Sequence, residues 1–150
     1  MYPRHSAEVI QQRVGARLER QRVLLASGEG RQFSALLDEA VLHRVAGSQD
    51  IMRAQMRSLL EMSERPNVSV QVLPFGAGVL PVTNNKFIIL TFGQPAVPGV
   101  VFIESLTGDL YLDRPEDVEL YQGCFRLMGQ MALGEEESRG IIATVAARPR

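Results

Sequence analysis

Six residues carry the side chains from which a site could be built. Asp38 and Glu39 follow a short apolar run, Phe33 to Leu37, and strand ends are where α+β sheets often present ligand-contacting groups. His43 and Arg44 come within the next helical turn. Glu104 interrupts the apolar segment Val100 to Leu106. A carboxylate in a buried strand must be paired, or its pKa rises through desolvation. Glu39, Glu104, His43 and Tyr111 are therefore the candidate acids and bases. Asp38, Glu39, Arg44 and Glu104 are the candidate ligand contacts, expected around an apolar pocket between sheet and helices. The competing assignment is structural: Glu39 and Glu104 pair with Arg44 or another arginine and hold the fold together.

Other chemistry is thinly supplied. One cysteine, Cys124, precludes an intramolecular disulfide, and with only His5 and His43 beside it a His/Cys metal site is not expected. Gly76-Ala77-Gly78 does not open a phosphate loop, because neither GxxxxGK[ST] nor GxGxxG is present. No GxSxG or HExxH occurs, and no cofactor is implied. Cys124 is expected in the core. Met52, Met56, Met62, Met128 and Met131 read either as flexible core filling or as the lining of an adaptable pocket.

The elements that must position these groups follow from periodicity and punctuation. Ser6 can cap a helix to about Ala26, with Ile10, Val14, Leu18 and Leu25 at helical spacing. A short strand, Phe33 to Leu37, and a single helical turn, Ala40 to Arg44, precede the break at Gly47. Ser48 can cap the next helix, which Pro66 stops near Glu64. Val68, Val70 and Val72 alternate with Ser69 and Gln71 as a half-buried strand. Phe87 to Phe92, apolar on both faces, reads as a central strand. Val100 to Leu106 and Leu110 to Leu112 follow as strands, joined by a turn at Thr107-Gly108-Asp109. Asp113-Arg114-Pro115-Glu116 resembles a capping box opening a helix that Gly134 ends, and Glu135, Glu136 and Glu137 suit the N-terminus of a last helix. The expected fold is α+β, a mixed and mainly antiparallel sheet with helices packed on it.

A chain of 150 residues is the size of one domain. A 45% hydrophobic and 22% charged composition suits a globular protein. The net charge of −1 provides no field that would draw in nucleic acid or an anionic membrane. Arg13, Arg17, Arg20 and Arg22 could form a patch for nucleic acid or an acidic partner, or simply a solvated face that Glu8 and Glu19 partly neutralise. No apolar run reaches the ~18 residues of a membrane span. The charged N-terminus lacks an apolar leader core, so a cytoplasmic location is expected.

The stretch Glu64-Arg65-Pro66-Asn67-Val68-Ser69-Val70-Gln71-Val72-Leu73-Pro74-Phe75 carries a resemblance. It resembles a signature of the antitoxin-like, ligand- or partner-binding domain that lies C-terminal to an XRE-type helix-turn-helix in actinobacterial regulators. Arg17 to Gln21, Leu37 to Ala40, Met52 to Met56, Val101 to Glu104, Tyr111-Leu112, Phe125 to Leu127 and Glu137 to Arg139 continue the similarity in order. It implies a regulatory module that binds a small apolar ligand or a small partner protein, and it is compatible with a homodimer. The helix-turn-helix itself has no counterpart in these 150 residues. The alternative is a free-standing, cofactor-independent cyclase, isomerase or hydrolase of specialised metabolism derived from that domain. Without a recognition helix, the chain should bind duplex DNA only weakly. A fluorescence anisotropy titration at physiological salt is expected to show weak, salt-sensitive and sequence-independent binding; tight, sequence-dependent binding would contradict this.

Overall fold

Three helices of this chain begin where a side chain takes up an orphan backbone N–H. The Ser6 hydroxyl accepts from Val9 N at 3.4 Å, Asp38 Oδ1 from Ala40 N at 2.8 Å and the Ser48 hydroxyl from Ile51 N at 3.3 Å. A computed structural model describes residues 6–25, 30–82, 86–93, 99–105 and 108–148. In chain order the elements are α1 (Ala7–Leu25), β1 (Phe33–Asp38), α2 (Glu39–His43), α3 (Gln49–Ser63), β2 (Val68–Leu73), a 3-10 turn (Phe75–Ala77), β3 (Phe87–Leu90), β4 (Val100–Ile103), β5 (Leu110–Leu112), α4 (Pro115–Met131) and α5 (Glu135–Ala146). The fold is α+β, as expected. The helix end expected at Ala26, the strand end at Leu106 and the turn residue Thr107 fall outside the described residues.

The strands divide into two sheets rather than one. β1 and β2 form a parallel pair, Phe33 opposite Val68 through Asp38 opposite Leu73. The parallel pairing follows from the helical crossover through α2 and α3. β3, β4 and β5 form an antiparallel sheet in that order. β3 is thus an edge strand, not the central one its two-sided apolarity suggested; Ile88 and Leu90 are exposed. Gly99 sits where this sheet meets α4. A Cβ there would lie 2.9 Å from the Leu90 carbonyl oxygen and 3.1 Å from Val118, so the close approach needs a glycine.

Each sheet has its own core. Val68, Val70 and Val72 pack with Leu42 of α2, Met56 of α3 and Ile142 of α5. Val101 and Ile103 pack with Val118 of α4, flanked by Phe87, Ile89, Leu112 and Tyr121. α4 contacts β2 as well as β3 and β4, and so joins the two. Met56 and Met128 are buried, in keeping with the core-filling assignment of the methionines. α1 differs from expectation, since Ile10, Val14 and Leu18 are all exposed. One apolar residue per turn is too narrow a stripe for a core-facing helix. α4 opens on Arg114 without a side-chain cap; Arg114 Nε instead donates to Asp117 Oδ2 at 2.7 Å, so Asp113 does not act as the expected cap.

Val70 is 3% exposed at the centre of the first core. Val70→Asp places an unpaired carboxylate there and should remove ~3 kcal/mol or more of stability. Chemical denaturation reads this directly; an unchanged midpoint would mean the strand faces the other way.

Candidate functional site

Asp38 and Glu39 lie at the C-terminal end of the parallel pair, where parallel strands present ligand-contacting groups. Asp38 is occupied in capping α2. Glu39 and His43 are four residues apart on one face of α2. Glu39 Oε2 accepts from Phe75 N at 2.8 Å, and Oε1 lies 3.5 Å from His43 Nε2. On the other side of the ring, Arg148 Nη1 lies 2.9 Å from His43 Nδ1. A guanidinium only donates, so Nδ1 accepts and the ring proton sits on Nε2, facing Glu39. The imidazole stacks on Phe75 with centroids 5.7 Å apart. Arg53 Nη1 donates to the Arg148 carbonyl at 3.3 Å and pairs with Asp50. Both oxygens of Glu39 and both ring nitrogens of His43 are thus engaged within the chain. The arrangement ties the end of β1 to the exit of β2 and to Arg148, two residues beyond α5, rather than presenting a free base.

The other sequence-selected residues lie elsewhere. Glu104 stands one residue beyond β4, exposed, and pairs with Lys86 rather than with Arg44. The hydrogen bond and charge of Lys86 hold its carboxyl below the usual carboxylate range, with smaller help from Arg17 and Arg13. Arg44 ends α2, its backbone N–H bonded to the Ala40 carbonyl at 3.2 Å. Tyr111 is 64% exposed and leans on Phe102, centroids 5.0 Å apart. The structure therefore joins Glu39 to His43 but leaves Glu104 and Tyr111 with the second sheet, and neither Glu39 nor Glu104 lines either of the two cavities described below. Phe75, Arg148 and Lys86 escaped sequence reasoning. Lys86 follows from the observed register: β3 and β4 pair Phe87 with Ile103, which sets the flanking Lys86 and Glu104 opposite each other.

Two cavities among the described residues bear on the site. One, of about 370 Å³, lies at the opposite end of the parallel pair and is lined by Gln32, Arg65, Pro66, Ser69, Glu135 and Arg139 among others. Its wall includes the Glu64–Pro66 turn. Its polar groups are cross-tied: the Ser69 hydroxyl donates to Glu135 Oε1 at 2.6 Å and Arg139 Nη1 to the Ser63 carbonyl at 3.3 Å. The second, of about 440 Å³, lies along α4 beside Leu120, Cys124 and Leu127. Cys124 is half-buried there, a correction to its expected place in the core. It flanks, rather than shares, the helix face that buries Val118 and Met128.

The second sheet also has an apolar outer face. Ile88, Phe102 and Tyr111 stand in register across its three strands, with Leu90 beside Val100. Ile88, Leu90 and Tyr111 are all exposed, while the opposite face carries the core with α4. These features define an α+β domain whose candidate acids are bound into its framework and whose three-stranded sheet shows apolar side chains to solvent. The chain belongs to the DUF5753 family, described as a domain of unknown function, whose model matches residues 1–144. Comparison with curated proteins and with solved structures yields no match. No helix among the described residues is long and apolar enough to cross a membrane.

The two carboxylates should behave differently on mutation. Glu39→Ala strands the Phe75 N–H and releases His43, and should cost about 1–2 kcal/mol. Glu104→Gln should cost under ~1 kcal/mol, because an exposed pair is screened by solvent. The folded-state pKa of Glu104 is depressed, so the pair stabilises the fold above the ordinary carboxylate pKa and loses that contribution as pH falls through the folded value. The difference between wild type and Glu104→Gln should shrink in acid and in high salt. Equal losses for the two variants would contradict the assignment.

Proposed function

We infer that this domain is a non-catalytic regulatory module that docks a small partner protein on the outer face of the β3–β4–β5 sheet. The observation that carries the reading is that face: Ile88, Leu90, Phe102 and Tyr111 form an apolar surface on which Ile88, Leu90 and Tyr111 are exposed. Contiguous exposed apolar side chains with a polar rim are a mark of protein interaction sites. The rim here is the Lys86–Glu104 pair, with Arg13 and Arg17 of α1 close enough to act on Glu104. The resemblance to the domain that follows a helix-turn-helix in actinobacterial regulators supports a regulatory role.

The enzymatic alternative has less to stand on. Of its four candidate residues only Glu39 and His43 meet, and both are held by Phe75 and Arg148. A small apolar ligand would need an enclosed apolar cavity, whereas the larger described cavity is open along α4 and the smaller one is lined mainly by polar groups.

The test is calorimetric titration of the chain with each small protein encoded beside its gene. One of them is expected to bind. The double variant Ile88→Lys/Tyr111→Ser should weaken that binding by about a hundredfold, the loss expected for two central apolar contacts, with an unchanged melting temperature. Binding that survives the double variant, or no binding by any of these proteins, would overturn the reading.

A further inference from the structure

The two edges of the parallel β1–β2 sheet are finished differently. On the β2 side, the Val72 N–H donates to the Ser138 hydroxyl at 2.9 Å and the Val72 carbonyl accepts from Leu133 N at 2.9 Å. Gln71 Nε2 adds a bond to the Leu133 carbonyl at 2.9 Å. The α4–α5 connection therefore closes that edge. On the β1 side, Phe33–Asp38 pairs with β2 alone, and among the described residues no backbone hydrogen bond joins its outer side to another element.

An open edge is ordinarily blunted by a charge, a proline, a bulge or shortness. β3 has four residues and is preceded by Lys86; β5 has three and is bracketed by Asp109 and Asp113. β1 has six residues, and its run Phe33-Ser34-Ala35-Leu36-Leu37 contains no charge, proline or glycine. Phe33 and Ser34 are exposed, and Ala35 and Leu36 half-buried. Of the open edges in the described structure, β1 is the longest, and its one charge, Asp38, stands at its last position and leaves five consecutive uncharged residues.

We propose that β1 is a dimerisation edge: β1 of one copy pairs antiparallel with β1 of a second copy across a two-fold axis at Ala35, so that the outward-facing backbone of Ser34 meets that of Leu36 in the other copy, forming a continuous sheet β2-β1-β1′-β2′. A second copy is the occupant that the strand's chemistry favours. An uncharged run is its own complement under a two-fold axis, which matches each residue with its mirror in the partner. Antiparallel pairing sends the two Asp38 side chains to opposite ends, so no like charges face each other. A net charge of −1 per chain adds little repulsion. Because the β2 edge is closed, addition stops at two copies instead of propagating along the sheet.

Size-exclusion chromatography with light scattering on the full chain, across the micromolar range, tests this. The expected mass is twice the 16.6 kDa of one chain, falling to one chain on dilution. Hydrogen exchange of the 33–37 amides should slow as concentration rises. Leu36→Lys and Ser34→Lys each place two ammonium groups near the axis and should abolish the dimer, with circular dichroism confirming that the variant folds; either variant suffices if the other fails to fold. The Ile88→Lys/Tyr111→Ser variant should remain dimeric, which separates this interface from the partner-docking face. A chain that is monomeric at every concentration would overturn the proposal. So would a dimer whose 33–37 amides exchange independently of concentration, or one lost only in the Ile88→Lys/Tyr111→Ser variant.

Discussion

The bond from the Val72 N–H to the Ser138 hydroxyl underlies the first core. Val72 is 0% exposed, and so is Ser138. An amide at that depth without an acceptor would be a standing penalty, because water cannot reach it. Ser138 supplies the acceptor from the first turn of α5 and passes its own proton toward the Leu133 carbonyl at 3.4 Å. Leu133 in turn bonds the Val72 carbonyl. A two-stranded parallel sheet is rarely stable alone, and here one edge is completed by a turn and a helix. That closure fixes where α5 begins. Ile142 then falls against Met56 and the β2 valines, and Arg148 ends beside His43.

The carboxylates are arranged by the same logic. Glu39 is partly buried, and its two oxygens meet a backbone N–H and an imidazole N–H, which offsets its desolvation. Glu104 avoids the problem by lying outside its strand, where solvent and Lys86 satisfy it. Neither carboxylate is left as a strained or unpartnered charge of the kind that often marks a catalytic site.

Polar surfaces in this fold are tied down, while several apolar ones are not. The outer face of the second sheet, the α1 stripe of Ile10, Val14 and Leu18, and the flank of α4 at Leu120 and Leu127 all face solvent. The first of these is broad and in register across strands, which is why it carries the functional reading. The uncovered β1 edge is a different kind of unsatisfied surface, made of backbone groups rather than side chains. The two call for different partners: apolar area for one, strand pairing for the other.

Local chemistry in the sequence was enough to place most elements. Ser6 and Ser48 set helix starts, Pro66 a helix stop, and the alternation of Val68, Val70 and Val72 identified a strand and its buried face, because caps, ring constraints and side-chain periodicity act within a few residues. What they could not determine was which strands meet. Phe87–Leu90 has the composition of a central strand, yet it became an edge because β4 and β5 pair on its one side and the outer face went uncovered. Glu104 looked buried because its neighbours are apolar, but the β4 ladder ends at Ile103 and releases it to Lys86. The Glu39–His43 contact needs α2 to open at Glu39, one residue before the turn the sequence suggested from Ala40, and the roles of Phe75 and Arg148 depend on contacts spanning 36 and 105 residues. Partners of that kind are chosen by packing, a long-range property, and only the tertiary structure could decide them.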